Sequence, residues 1–219
     1  MKTYRENWYY IGGIIFVVLA FVLSLFGGLI DPMRRIMTVM FMCLLIHQFE
    51  EYAVPGGFPS AWNIGVSGQK ELGDRYPLNT KSCFIVNICC GYSVYILGII
   101  FSNVHVISIL IAFFTLAQIP MHGIIINKKM GTLYNPGVAT SLFLMLPVSI
   151  YNLWYTATNF NIPTWNWWVA LILLPFVAFS TILLPILKCQ DKESPYAFIE
   201  RDVKGFSVKG KVARIRRGI

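Results

Sequence analysis

Trp8–Ile30 reads WYYIGGIIFVVLAFVLSLFGGLI, 23 positions without a charged side chain. As a helix rising 1.5 Å per residue it reaches about 35 Å, enough to cross the ~30 Å hydrocarbon core of a bilayer. Lys2 and Arg5 precede it, as basic residues precede the apolar part of a signal peptide. The run is longer than such a segment and no clear small-x-small cleavage site follows, so it is read as a retained first helix. Similar runs recur along the chain. Spans are expected at 8–30, 33–54, 82–102, 104–126, 137–158 and 165–187. The breaks between them are Asp31-Pro32, Pro55-Gly56-Gly57-Phe58-Pro59, Asn103, Asn135-Pro136-Gly137 and Asn161-Ile162-Pro163.

Composition agrees with that reading. Of the 219 residues, 56% are hydrophobic and only 13% charged, against ~25% charged in soluble domains. One core has no room for so much apolar surface, and the bilayer is the solvent that suits it. The expected fold class is all-α: a polytopic membrane bundle of about six transmembrane helices over 1–187. A connector or lid is expected over 55–81 and a basic cytoplasmic tail over 188–219. With the N-terminus inside, 16 of the 18 lysines and arginines fall on the cytoplasmic side, leaving only Arg34 and Arg35 outside. Both termini are thus expected in the cytoplasm, with the protein multi-pass in the cell membrane. Trp165, Trp167 and Trp168 suit an outer aromatic belt, and Trp8, Tyr9 and Tyr10 an inner one.

The tail ends Lys209-Gly210-Lys211-Val212-Ala213-Arg214-Ile215-Arg216-Arg217, which suits contact with anionic lipid and suits equally a plain topology signal. A terminal basic run is too little for a nucleic-acid partner, and none is expected. The five cysteines show no CxxC or Cys/His metal spacing; four of them sit inside the expected spans, and they read as ordinary small apolar residues.

The inner end of the second span breaks the apolar pattern with His47-Gln48-Phe49-Glu50-Glu51-Tyr52. At 100° per residue, Glu50 lies about −60° and Glu51 about +40° from His47, so one arc holds all three. A carboxylate at mid-bilayer costs ~2.5–3.5 kcal/mol on insertion scales, less near an interface, so the group needs partners. The fourth span offers a polar stripe of Thr115, Gln118 and His122, interrupted by Pro120. Under the assigned topology His122 lies at the same depth as His47. Two imidazoles and a carboxylate suit Zn²⁺ or another divalent metal with an open position, and a second carboxylate suits a general base. His47, Glu50 and His122 are the expected metal ligands and Glu51 the expected base. The two glutamates' roles are exchangeable, and a metal-free site with a glutamate-activated water stays open.

In this order His47-Gln48-Phe49-Glu50-Glu51-Tyr52, Pro55-Gly56-Gly57-Phe58-Pro59, Arg75-Tyr76-Pro77-Leu78-Asn79, Asn87, Gln118, His122-Gly123, Asn127 and Tyr134-Asn135-Pro136-Gly137 resemble the HXXEE-motif family of membrane proteins. The likeness runs from about Met33 to Tyr155. It implies a polytopic membrane protein suspected of enzymatic activity, without an assigned substrate, and adds Asn87, Asn127 and Asn135 to Gln118 as supporting polar residues. Many members carry Asn where Gln118 stands, so an amide is kept. Membrane glutamyl proteases share the logic of paired Glu with His and Asn, but there an Arg follows the acids three residues on, and none does here. The leading expectation is a membrane-embedded hydrolase acting on a lipid, a lipidated protein or a membrane peptide. The alternatives are a proton- or cation-coupled transporter, and a structural or immunity-type membrane protein without turnover.

Overall fold

The computed structural model describes residues 2–203, and the basic run beyond Val203 lies outside them. Six long helices form the bundle: α1 (Trp8–Leu29), α2 (Pro32–Tyr52), α3 (Thr80–Ile100), α4 (His105–Met130), α5 (Val138–Asn159) and α6 (Trp165–Cys189). There is no strand among the described residues. The starts are chemically marked. Pro32 opens α2 behind Asp31, whose carboxylate accepts from the Arg34 N–H at 3.1 Å. Asn79 and Ser82 form a reciprocal capping box at the start of α3. Gly131, with φ of +54°, ends α4.

Five of the six helices are long and apolar enough to cross a membrane, and α2 is not among them. Its Arg34, Arg35, Glu50 and Glu51 explain why. Its position explains how it stays in the bundle: it packs against α1, α3 and α5, and 15 of its 21 residues are buried. Shielded by other helices, α2 need not be compatible with lipid. Met37, Met40 and Leu45 of α2 join Ile111 and Ala112 of α4 and Met145 of α5 in the core. At Gly98 on α3, a Cβ would come within 2.6 Å of both Ile111 and Met37, so close approach of three helices depends on glycine there.

The ends of α2, α4 and α6 and the starts of α1, α3 and α5 share one end of the bundle. Chain segments cover that end. A short helical stretch over 58–66 lies across it, pinned by Asn63, which donates to the Gly73 and Leu78 carbonyls and accepts from the Leu78 N–H. Residues 190–203 then strap the same end. The Thr80 and Phe198 N–H groups donate to the Tyr196 and Asp74 carbonyls, and Ser60 Oγ donates to the Val203 carbonyl. Tyr9 OH donates to Asp202 Oδ1 at 2.7 Å, and Arg201 bonds Asp202, Tyr9 and the Glu6 carbonyl. Burial raises the Asp202 carboxyl above its ordinary value, although Tyr9 and Arg201 pull it back.

These coverings correct one expectation. Trp8 and Tyr9 are not belt residues; both are 2% exposed and pack on Tyr52, leaving Tyr10 as the exposed member of the trio. At the opposite end Trp165 and Trp168 are exposed, as a belt requires.

Candidate metal centre

Glu51 faces two imidazoles. Its Oε1 lies 3.7 Å from His47 Nε2, one turn back on α2, and 3.4 Å from His122 Nε2 on α4. All three side chains are buried, and their ligand atoms lie within 4.8 Å of one another. The His47 and His122 rings stand edge to face, with centroids 4.9 Å apart. Tetrahedral coordination with bonds of ~2.0–2.1 Å puts neighbouring ligand atoms about 3.3–3.4 Å apart. The two distances from Glu51 are close to that figure, and the set as a whole lies within 4.8 Å.

What lies behind each imidazole decides what it can do. His47 Nδ1 is 2.9 Å from Thr140 Oγ1, whose single proton goes to Glu50 Oε2 at 2.5 Å. The threonine oxygen is then free to accept, so Nδ1 of His47 carries the hydrogen and Nε2 keeps its lone pair. His122 Nδ1 is 2.8 Å from Asn135 Oδ1. The Asn135 amide is oriented by two donations from its nitrogen, to the His122 carbonyl and to Asn127 Oδ1, both at 2.7 Å. Its oxygen therefore accepts from His122, and that Nε2 also keeps its lone pair. Two lone pairs and a carboxylate oxygen converge with no hydrogen between them. A cation, or a proton, is what such a set binds.

Glu50 is elsewhere. Turned about 100° around α2 from Glu51, it meets the start of α5. Its oxygens accept from Tyr134 OH (2.9 Å), the Ala139 N–H (3.2 Å), the Thr140 N–H (2.8 Å) and Thr140 Oγ1. A carboxylate at a helix N-terminus is favoured by the unpaired N–H groups there. Burial, together with the Glu50 carboxylate it donates to, raises the Tyr134 phenol above its usual value. The ligand set expected from sequence, His47, Glu50 and His122, is thus not the set the fold brings together. Glu51 takes the third place because α4 flanks α2 on its side, while α5 occupies the side of Glu50.

Gly137 explains how the chain passes so close. Its φ is +102°, and a Cβ there would lie 2.5 Å from His122 Cε1 and 2.9 Å from His47 Cε1. Among the polar residues expected to support the site, Asn127 and Asn135 stand behind His122 as described. Asn87 bridges Gln48 Nε2 (3.1 Å) and the Cys83 carbonyl (2.9 Å). Gln118 lines a cavity beside His122, and no hydrogen-bond partner engages its amide among the described residues. Thr115 does not reach the site: it bonds Tyr95 OH and the Ile111 carbonyl, both at 2.7 Å. It lies about two turns before His122, which sits in a π-helical stretch of α4, Pro120–Ile126. Thr140, Tyr134 and Gly137 were not named for roles from sequence. Thr140 was detectable, since a helix opening at 137 on the inner side offers its N–H groups to an acid at that depth.

The cavity holds about 210 Å³. His47, Glu51 and His122 edge it, with Leu44, Val86, Phe114, Met121 and Ile182 as apolar wall and Phe58 and Trp62 of the 58–66 stretch as a cap. The Phe58 ring lies 5.6 Å from that of His122. Tyr52 OH donates to Cys83 Sγ at 3.3 Å on the same wall.

The motif that supplies His47, Glu50 and Glu51 also carries the sequence relationship. A family described as "protein of unknown function with HXXEE motif" matches residues 38–152, more than half of the chain. The chain belongs to this HXXEE family. The matched stretch holds both imidazoles, both glutamates, Asn135 and Thr140, so the HXXEE region contains the whole cluster and the residues behind it. No curated protein and no solved structure matches the chain.

Proposed function

We propose that the protein is a membrane-embedded, metal-dependent hydrolase whose His47, Glu51 and His122 would hold one divalent cation, with Zn²⁺ the best fit. The observation that carries this reading is the convergence of two imidazole lone pairs and a carboxylate within 4.8 Å of one another, each imidazole fixed from behind. A Zn²⁺ bound there supplies Lewis acidity and an activated water. The chain's own contribution is orientation and proton handling. Glu51 is the only carboxylate lining the cavity among the described residues, so proton uptake from an attacking water would fall to its carboxylate oxygen left free of the cation, rather than to the imidazoles or to Glu50. The apolar wall excludes bulk water and leaves few competing donors.

A carrier has less support. The lining residues reach only to Leu44, Phe114 and Ala178, near the middle of α2, α4 and α6, and trace no path to the other end. The charge asymmetry supports a cytoplasmic capped end, where an inner-leaflet or lipidated cytoplasmic substrate would reach the cavity. Cysteine-accessibility labelling at position 160 tests that placement: labelling from the cytoplasmic side alone reverses it.

The decisive measurement is elemental analysis of detergent-purified protein alongside its His47→Ala and His122→Ala variants. About one Zn²⁺ per chain is expected in the parent and little in either variant, with chelation abolishing ester hydrolysis. A parent that hydrolyses ester at full rate without metal refutes metal dependence. A metal-free and inert parent leaves the carrier and the structural roles.

A further inference from the structure

The cavity described above has a composition that selects among hydrolase substrates. No Lys or Arg lines it, and its formal charge comes from Glu51. A phosphodiester or free carboxylate would find no cationic side chain along the apolar wall, which is costly in a low dielectric, and its only counter-charge would be the one cation proposed at the cluster, already partly neutralised by Glu51. An uncharged ester or amide meets no such penalty. The shape is selective too. About 210 Å³ bordered by Leu44, Val86, Phe114 and Ile182 suits one apolar chain better than a two-chain lipid.

One edge of the cavity reaches the helix surface: Ala117 of α4, which lines it, is exposed. Ile124 of α4 with Phe179 and Leu183 of α6 are exposed and apolar, the kind of surface lipid covers. At the capped end Phe58 and Trp62 line the cavity. Beside Ala117 sits Gln118, half-buried, without a hydrogen-bond partner among the described residues, and one turn from His122 on the same face of α4. An amide facing an apolar cavity at that place is a donor lacking an acceptor.

We infer that the cavity receives a single apolar chain bearing an uncharged carboxylic ester or amide, entering from the bilayer past Ala117, and that the Gln118 amide donates to its carbonyl oxygen. This rests on the hydrolase reading for its chemistry but not for its binding. In the reaction, water adds to the carbonyl carbon and one of its protons passes to the free carboxylate oxygen of Glu51. The acyl C–O or C–N bond breaks, the proton goes to the departing alkoxide or amine, and the products are a carboxylic acid and an alcohol or amine. As negative charge gathers on the carbonyl oxygen, the Gln118 donation strengthens.

Binding is tested without turnover on metal-free protein in phosphatidylcholine nanodiscs, using bromine quenching of tryptophan emission. 11-Bromoundecanamide is expected to quench saturably, Trp62→Phe to remove most of the saturable part, and Ala117→Trp to abolish it. 11-Bromoundecyl phosphate is expected to give only the unsaturable quenching of chains dissolved in lipid. Equal saturable quenching by the phosphate, or amide quenching indifferent to both variants, overturns the inference. Chemistry is tested with 4-methylumbelliferyl laurate on metal-loaded protein. Gln118→Leu should lower kcat by about 10–10²-fold with little change in KM or metal content, and Gln118→Asn should recover part of the loss. Saturable amide binding without ester cleavage leaves the binding inference standing and removes the hydrolase reading. Cleavage unchanged in Gln118→Leu removes the donor role alone.

Discussion

Two adjacent glutamates occupy opposite kinds of surroundings. Around Glu50 everything nearby donates: a phenol, two backbone N–H groups at the start of α5 and a threonine hydroxyl. Around Glu51 the nearest polar atoms are two imidazole nitrogens that keep their lone pairs, because Thr140 and Asn135 hold the hydrogens on the far nitrogens. One carboxylate is satisfied by the fold, and the other is left with a demand that only a cation or a proton meets. The difference teaches that residue type and depth do not define a site; the polarity of the neighbours does. It also ties the two niches together, since Thr140 bonds Glu50 with its proton and His47 with its oxygen.

Glu51→Gln should break the comparison most severely. The substitution is nearly isosteric, but it removes the charge and presents an amide to two lone pairs. Metal is expected to fall to background and ester hydrolysis by ~10²-fold or more, with the folded protein recovered in normal yield. Elemental analysis and turnover on one preparation check it. Full metal in Glu51→Gln would mean that Glu51 is not a ligand. Glu50→Gln should behave differently. It keeps one acceptor but turns an NH₂ toward groups that donate, so thermal unfolding should show a loss of roughly 2–4 kcal/mol. Metal should be retained, though bound more weakly through the Thr140 link. Identical metal loss and equal stability in both variants would dissolve the distinction.

Much of this was legible beforehand. The long apolar runs and their Pro, Gly and Asn breaks located all six helices within a few residues, because lipid leaves little choice of structure. The meeting of His47 and His122 followed from placing α2 and α4 in the same direction with their polar ends inward. The division between Glu50 and Glu51 was not legible. Both lie within 60° of His47 on the helical wheel, and what separates them is which neighbour stands on which side, a property of the packing. The same holds for Trp8 and Tyr9, whose aromatic character suits an interface equally well until residues 190–203 cover them. Thr115 belonged to a regular polar stripe with Gln118 and His122. It parts from them because its hydroxyl is taken by Tyr95 of α3, while Gln118 and His122 line the cavity, and a helical wheel does not show which neighbour each residue meets.

Thr140→Val sharpens the link between the two niches. Valine keeps the shape and removes both the donation to Glu50 and the oxygen that accepts from His47. The His47 tautomer is then no longer fixed, and loss of such a partner behind a histidine ligand typically costs 10–100-fold in metal affinity. A competition titration with a chromophoric chelator should place the variant in that range, while Thr140→Ser stays near the parent. Affinity unchanged in Thr140→Val would show that the imidazole is held by packing alone, Gly137 being pressed against it from the other side.

The smallest effect is expected at Thr115, and it tests how far the site extends along α4. Thr115 is fully buried, and its hydroxyl is shared between the Ile111 carbonyl and Tyr95 OH, a contact between α3 and α4 about two turns from His122. The carbonyl already takes part in the helix ladder, so valine removes mainly the link to Tyr95. Interhelical hydrogen bonds within membranes average ~0.6 kcal/mol by double-mutant cycles. Thr115→Val should therefore lower unfolding stability by about that amount, and Tyr95→Phe in the same background should add little, since the two share one bond. Neither should change metal content or ester turnover. If Thr115→Val weakened metal binding tenfold with so small a change in stability, the polar stripe of α4 would be one functional unit. The boundary drawn between Thr115 and Gln118 would then be wrong.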